Sequence, residues 1–114
     1  MTRSLLLATF GTNHSQKHWW RRPWAGLTQA LAVEFGAKGI RVNAILAGGT
    51  DRPMGREVAS TPESLAFVQG LHALKRLATP AEQAKSVLYL ASDASSFTTG
   101  TALLVDGGVS LNRI

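Results

Sequence analysis

The chain has 114 residues and no cysteine, and 45% of its residues are hydrophobic and 17% charged. This composition predicts one folded globular domain at most, and it excludes disordered and fibrous proteins, disulfide-rich scaffolds and thiolate zinc sites. No apolar run approaches the ~20 residues that span a bilayer or matches a secretory signal, so we expect a cytoplasmic protein that does not contact the membrane.

The net charge of +5 is concentrated near the N-terminus. Residues 1–24 contain four Lys/Arg and no Asp/Glu, whereas the rest of the chain has eight Lys/Arg against seven Asp/Glu. The cluster KHWWRR at residues 17–22 combines cations with rings on which bases stack, but one short cluster without a basic face does not predict a nucleic-acid partner. His14 and His18 have a metal-binding spacing without a third ligand, and we interpret them as solvated histidines.

The first half of the chain predicts a strand, a helix and a second strand. Residues 4–10 are a short apolar run, as in a strand. A helix is predicted from residue 24, ended by Gly36 in a left-handed conformation. One face of this helix carries four apolar residues: Trp24, Leu27, Leu31 and Phe35. Residues 40–46 form a nearly continuous apolar run, which predicts a parallel strand covered on both faces.

The second half predicts two helices and a third strand. Thr61 is placed to cap a helix that begins at Pro62 and carries an apolar stripe. Thr79 and Glu82 form a capping box at the start of the next helix. The expected apolar stripes are Leu65, Val68 and Leu71 on the first helix and Ala84, Val87, Leu88 and Ala91 on the second. Residues 101–105 predict another buried strand. The fold class is therefore α/β, with a parallel sheet of about three strands and three helices.

A candidate ligand site follows the strand at residues 40–46. Gly48 and Gly49 stop the apolar run, and a long loop continues to residue 60. Glycine lets the backbone approach a ligand closely, and ligands of open α/β sheets bind outside the carboxyl ends of the strands. We therefore expect residues 47–52 to lie at the functional site.

Two stretches carry a family resemblance. They are GLTQALAVEFGAKGIRVNAILAGGTDRPM (residues 26–54) and LKRLATPAEQAKSVLYLASDASSFTTGTALLVDGG (residues 74–108). Together they resemble the C-terminal half of the short-chain dehydrogenases/reductases over about residues 25–110. Several motifs occur in the family's order: a helix ending in Glu34-Phe35-Gly36, a strand entered by Arg41-Val42-Asn43, the glycine loop, and a final strand closed by Asp106-Gly107-Gly108.

The resemblance implies an incomplete Rossmann-like sheet, the C-terminal half of a doubly wound fold. It also implies NAD or NADP as cofactor, oxidation of alcohols or reduction of carbonyls, and a dimer or tetramer. In that family the loop after the corresponding strand lies against the nicotinamide, with Pro-Gly where this chain has Ala47-Gly48. Thr50 would offer main-chain contacts to the carboxamide, and Arg52 stands where a threonine commonly contacts the cofactor. The cofactor-binding residues implied are Ala47, Gly48, Gly49, Thr50 and Arg52.

Other family features do not map onto this sequence. The family's glycine-rich pyrophosphate motif is absent, and its catalytic serine, tyrosine and lysine cannot be placed. Tyr89 is the only tyrosine, and Asp93 rather than lysine follows it by four residues. We therefore assign no catalytic residue and expect the chain to be inactive by itself.

We interpret residues 1–114 as a single partial domain. Residues 1–10 are strand-like, residues 11–24 are an atypical basic and tryptophan-rich segment, and residues 25–110 are family-like. A frameshift or local coding change is our hypothesis for residues 11–24. The alternative to enzymatic ancestry is an interaction role, in which the chain binds itself, a full-length relative or a complementary half.

Overall fold

The computed structural model describes residues 3–10, 21–51 and 60–111. Three strands form one parallel sheet in the order β1-β2-β3. The strands are β1 (Arg3–Phe10), β2 (Ile40–Ala47) and β3 (Ala102–Val105). The helices are α1 (Arg21–Gly36), α2 (Pro62–Leu71) and α3 (Pro80–Ala91), and a short 3-10 turn, Asp93–Ser95, follows α3. The predicted α/β class and its parallel sheet are confirmed.

The middle strand is buried on both faces, as its apolar run predicts. Val42, Asn43, Ala44 and Ile45 are each at most 2% exposed. Ile45 and Ala47 pack with Leu90 of α3 in the core. The four residues of β3 are half-buried rather than buried. That part of the prediction is wrong, because within the described chain β3 has a strand neighbour on one side only.

The faces of two helices differ from the predicted ones. Among the described side chains of α1, Thr28 and Ala32 are buried, Leu31 and Phe35 are half-buried, and Leu27 is 47% exposed. Trp24 lies outside the described side chains. On α3 the buried residues are Gln83 and Leu90, while Leu88 is 67% exposed. The spacing of apolar residues predicts an apolar stripe on a helix, but which face packs on the sheet depends on how its side chains fit the sheet surface. The small side chains of Thr28 and Ala32 face the sheet on α1, and Leu27 of the predicted stripe turns outward.

The predicted cap at the start of α3 is confirmed, and the predicted left-handed residue at the end of α1 is wrong. Thr79 Oγ1 accepts from the Glu82 amide at 3.1 Å, and Glu82 Oε1 accepts from the Thr79 amide at 3.0 Å, which confirms the capping box. Thr61 caps α2, with Pro62 in the first turn. The left-handed residue after α1 is Gly39, with φ +73°, and not Gly36. The Lys38 amide donates to Phe35 O and the Gly39 amide donates to Gly36 O, so the chain continues in turns past Gly36 and reverses at Gly39.

A buried cation joins the sheet to the end of α3. Arg41 is 5% exposed. Its guanidinium donates five hydrogen bonds of 2.8–3.2 Å, to Ser4 Oγ, Leu90 O, Ser92 O, Ser95 Oγ and Thr98 O. Two of these acceptors are carbonyls at the C-terminus of α3, where the helix dipole favours a positive charge. Arg41 thereby fixes the amino end of β2 against both neighbouring layers. Among the described helices, none is long and apolar enough to cross a membrane.

Candidate functional site

Three strands end side by side at one edge of the sheet. The register pairs Phe10 with Ala47, and Ala47 with Val105, which are the last residues of β1, β2 and β3. The chain leaves β2 there as the glycine loop, here residues 48–51. The predicted site residues Ala47, Gly48, Gly49 and Thr50 therefore lie together at the carboxyl edge. Arg52, the remaining predicted site residue, lies outside the described residues, as do Lys17, His14 and His18.

The glycine loop is hydrogen-bonded along its length and is buried from Gly48 to Thr50. Ala47 is 1% exposed and Thr50 8% exposed. The Gly48 amide donates to Val105 O at 3.1 Å, and the Gly49 amide donates to Nε2 of His72 at 3.1 Å. The Ala78 amide, from the segment before α3, donates to Gly49 O at 2.9 Å. Ala47 stands where the family has proline, and the hydrogen bonds of Gly48 and Gly49 hold the loop that follows it.

Both glycines pack closely against the protein itself. A Cβ built at Gly48 would lie 2.7 Å from Cα of Asp106. At Gly49 it would lie 2.8 Å from a methyl carbon of Leu77 and 2.9 Å from Cε1 of His72. The sequence alone suggests that the absent side chains make room for a ligand. In the structure they first allow the loop to close onto the end of β3 and onto His72.

Thr50 forms an isolated parallel bridge with Ala78. Ala78 exchanges its two hydrogen bonds with the residues on either side, accepting from the Asp51 amide at 2.8 Å and donating to Gly49 O at 2.9 Å. In a parallel ladder the bridged residue's own N–H and C=O point to the opposite side of the strand. The main-chain groups of Thr50 are thus directed away from Ala78.

A buried amide links the ends of β2 and β3. Gln83, on the first turn of α3, is 8% exposed. Its Nε2 donates to Val105 O at 3.1 Å and to Thr50 Oγ1 at 3.4 Å. Thr50 Oγ1 in turn donates to Gly48 O at 3.3 Å. This chain of bonds fixes the side chain of Thr50 inward, so the residue presents backbone and not its hydroxyl to the outside.

The turn after β3 supports the same edge. Asp106 is 7% exposed, and its two carboxylate oxygens accept from the Gly108 amide at 2.9 Å and the Ser110 amide at 3.2 Å. Gly107 and Gly108 have φ of +57° and +85°, in the left-handed region that favours glycine. A Cβ on Gly108 would also meet Cβ of Ala73 at 2.5 Å. The second glycine pair is therefore a packed turn.

One exposed ion pair lies beside this edge. Arg76 donates to both carboxylate oxygens of Glu82 at 2.7 Å. The side-chain hydrogen bond from Arg76, and then the amide of Thr79, lower the pKa of Glu82 from 4.5 to about 2. The same hydrogen bond raises the pKa of Arg76. Within the described residues, no group of three or more His, Cys, Asp or Glu side chains is placed to hold a metal ion.

His72 and Gln83 belong to the site and were not expected from the sequence. His72 follows α2, 23 residues after the glycine that it contacts. Gln83 occupies a position where a helical stripe would place an apolar residue. Neither has a local signal, since the partners come from other elements.

Known proteins resemble this chain over nearly the same residues as the family-like region, residues 25–110. A family model described as enoyl-(acyl carrier protein) reductase matches residues 23–110. A short-chain dehydrogenase/reductase of Aspergillus oryzae is 51% identical over 90 residues, covering 75% of this chain and 34% of that protein. A 3β-hydroxysteroid dehydrogenase of Eggerthella lenta is 41% identical over 85 residues, covering 75% of this chain and 33% of that protein. The chain thus spans about a third of the length of these curated relatives.

Solved structures share the fold. The aldohexose dehydrogenase of Thermoplasma acidophilum, solved as a C-terminal deletion mutant, superposes with a TM-score of 0.79 at 30% identity. The match covers 97% of this chain and 52% of that one. A protein of Agrobacterium tumefaciens assigned as a 2-deoxy-D-gluconate 3-dehydrogenase, with bound NADP, gives a TM-score of 0.78 at 25% identity, covering 96% and 48%. These likenesses confirm the predicted Rossmann-type fold.

Proposed function

The chain belongs to the short-chain dehydrogenase/reductase family, and from that membership we propose that it forms the nicotinamide side of an NAD(P)-dependent oxidoreductase site. The cofactor, NAD or NADP, supplies or accepts the hydride when a small-molecule alcohol and its carbonyl interconvert. The residues of this chain bind and orient the nicotinamide. The NADP bound to the Agrobacterium tumefaciens protein supports this choice of cofactor class.

The orientation of Thr50 is the observation that carries the proposal. Its bridge with Ala78 turns its own N–H and C=O to the far side of the strand, at the carboxyl edge of the sheet. A donor and an acceptor on one backbone unit match the two hydrogen-bonding groups of a primary carboxamide. Thr50 therefore contacts the carboxamide through its main chain.

The remaining predicted residues have different roles in the proposed site. Ala47, Gly48 and Gly49 hold the loop against His72 and the end of β3, which fixes the position of Thr50. Buried, bonded backbone of this kind presents its polar groups without reorganisation when a ligand binds. Arg52 completes the cofactor-binding set, in place of the threonine common in the family.

We further propose that the chain does not turn over substrate alone. The family's general acid/base is a tyrosine whose pKa is lowered by a lysine four residues later. The only tyrosine here, Tyr89, lies on α3 with 44% of its surface exposed and is followed by Asp93 at that spacing. Without such a pair nothing exchanges the proton of the alcohol, so catalysis requires residues from a partner or a complementary half.

Nicotinamide binding is the direct test. Purified protein is titrated with NADH, NADPH and reduced nicotinamide mononucleotide while the nicotinamide fluorescence is followed. We expect saturable binding of all three, since the proposed contacts involve the nicotinamide half alone. No binding up to millimolar concentrations would overturn the proposal. If adding a carbonyl compound made the purified chain consume the nicotinamide fluorescence, the proposal that the chain is inactive by itself would be overturned.

A matched pair of variants tests the role of Arg52. Arg52→Thr restores the short hydroxyl found in the family, and we expect it to tighten nicotinamide binding several-fold. Arg56→Thr makes the same change of charge four residues later and serves as the control, with affinity unchanged. Equal effects from both would assign the result to net charge and remove Arg52 from the cofactor-binding set.

An interaction role is the second candidate. Within the described sheet β1 is an edge strand, and Leu5 on it is 42% exposed. An edge strand offers backbone donors and acceptors to a further strand. We propose that this edge binds a second copy, a full-length relative or a complementary half that brings the missing catalytic groups.

Light scattering coupled to size-exclusion chromatography tests the association. We expect oligomers or aggregates from the chain alone. Mixing with a separately expressed nucleotide-binding half of a relative is expected to give a defined complex with oxidoreductase activity. A monodisperse monomer with a cooperative thermal transition, and no complex on mixing, would contradict this role.

A further inference from the structure

His72 lies between the two glycine turns of the carboxyl edge. It is 1% exposed. A Cβ on Gly49 would lie 2.9 Å from its Cε1, and a Cβ on Gly107 would lie 3.5 Å from its Cδ2. The Leu74 amide also donates to Gly107 O at 3.1 Å. The segment that follows α2 is therefore inserted between the chain that leaves β2 and the chain that leaves β3.

Both ring nitrogens of His72 have defined partners. Nδ1 lies 2.8 Å from Val68 O on the last turns of α2. A carbonyl oxygen only accepts, so Nδ1 carries the proton. Nε2 then has a lone pair, and it receives the Gly49 amide at 3.1 Å. The ring is neutral in this arrangement, and each nitrogen ties it to a different element.

We propose that His72 is a positioning residue that fixes the glycine loop to the end of α2, and that protonation of its Nε2 releases the loop. An imidazolium has two N–H donors and no acceptor. Its Nε2–H would face the Gly49 N–H, so the bond would be replaced by repulsion between two donors. For its effect on cofactor binding, the inference rests on the proposed function; for the loop itself it does not.

The charges around His72 come from its own segment, from α3 and from the turn after β3. Arg76 and Glu82 share with it a pocket of about 180 Å³, and they carry no net charge as a bonded pair. Asp106, after β3, lines the same pocket with its carboxylate bonded to the Gly108 and Ser110 amides. Lys75, on the segment of His72 itself, donates to Gly70 O at 2.7 Å. None of these groups can take the place of Nε2 as the acceptor of the Gly49 amide in the observed geometry.

Amide hydrogen exchange of the nitrogen-15-labelled chain tests the inference without any cofactor. Protection of the Gly49 amide is measured from about pH 8 to about pH 5, the range in which histidines change charge. We expect it to fall about tenfold on acidification, as one hydrogen bond is lost. The Ala44 amide, which lies outside the glycine loop and donates to Thr101 O at 2.8 Å, is the internal control and should keep its protection.

Two substitutions separate the bond from the bulk of the ring. The amide oxygen of His72→Gln can accept from Gly49 and does not titrate, so we expect protection at every pH. His72→Phe fills the space without an acceptor, and we expect about tenfold less protection at every pH. His14→Gln removes a different histidine and should keep the parental profile.

The outcomes are distinct. Parental protection of Gly49 in His72→Phe, or a parental pH profile in His72→Gln, would overturn the inference. If His72→Phe fails to fold, the parental chain and His72→Gln still decide it through their pH profiles. Protection that depends on His72 in a chain that binds no nicotinamide would support the inference and overturn the proposed function.

Discussion

Gly48→Ala adds a methyl group at the most crowded point of the glycine loop. The new carbon would lie 2.7 Å from Cα, 2.8 Å from Cβ and 2.9 Å from the carbonyl oxygen of Asp106. Two of these three atoms are backbone, so no side-chain rotation removes the overlap. Asp106 is itself held by hydrogen bonds to Gly108 and Ser110. The loop or the end of β3 must therefore move.

The size of the effect follows from this geometry. Carbon atoms pack at about 3.5 to 4.0 Å, so the closest contact requires a shift approaching 1 Å. Overpacking of this kind costs about 1 to 3 kcal/mol. Alanine also restricts the unfolded chain, which returns about 0.4 to 1 kcal/mol. The φ of Gly48 is not in the left-handed region, so no further backbone penalty arises. We expect a net loss of about 1 to 2 kcal/mol.

Thermal and urea unfolding of matched variants provides the assay, with every variant at the same protein concentration because the chain is expected to associate. For a domain of this size the loss corresponds to a Tm lower by about 4 to 16 °C. Gly26→Ala is the control, because a Cβ at that position on α1 meets nothing within 4 Å. It should raise the free energy of unfolding by about 0.5 to 1 kcal/mol, as alanine favours a helix over glycine. If Gly48→Ala is as stable as the parent, the loop does not pack on Asp106 and the reasoning fails.

Two further predictions concern polar groups away from the glycine loop. Arg41→Met removes the buried cation and its five hydrogen bonds, and it should lower the free energy of unfolding by about 3 kcal/mol in urea titrations. The control Lys85→Met changes an exposed position and should alter the free energy of unfolding by less than about 0.5 kcal/mol. A loss below about 1 kcal/mol for Arg41→Met would contradict this prediction. The pKa of Glu82 is about 2 in the folded chain, below its ordinary 4.5. The ion pair therefore stabilises the fold above about pH 4.5, and this stabilisation is lost as the pH falls toward 2. Between these pH values the urea midpoint of the parental chain should fall more steeply than that of Glu82→Gln. Parallel curves would refute it.

Local signals in the sequence predict local structure well. The capping box of Thr79 and Glu82 needs only residues within one turn, and it forms as expected. The apolar residues Ala44, Ile45 and Leu46 follow one another in β2 and predict burial on both faces, because consecutive side chains of a strand point to opposite faces. Parallel strands end at one edge, so the position of residues 47–50 also follows from the pattern.

Other features depend on contacts that no pattern reveals. The outward position of Leu27 and Leu88 was not predictable, since it depends on the shape of the sheet surface. The packing role of Gly48 depends on Asp106, 58 residues later, and the acceptor of the Gly49 amide comes from His72. The sequence indicates a glycine loop, but the atoms that require glycine lie in other elements.

The Arg41 cluster has a consequence for synthesis of the chain. Four of the five acceptors of its guanidinium lie between residues 90 and 98. The strand that pairs with the other side of β2 starts at Ala102. During translation, at about 5 to 20 residues per second, β2 would wait several seconds for these partners. The buried strand β2 therefore emerges from the ribosome well before α3 and β3, and this interval is when the nascent chain most needs a chaperone.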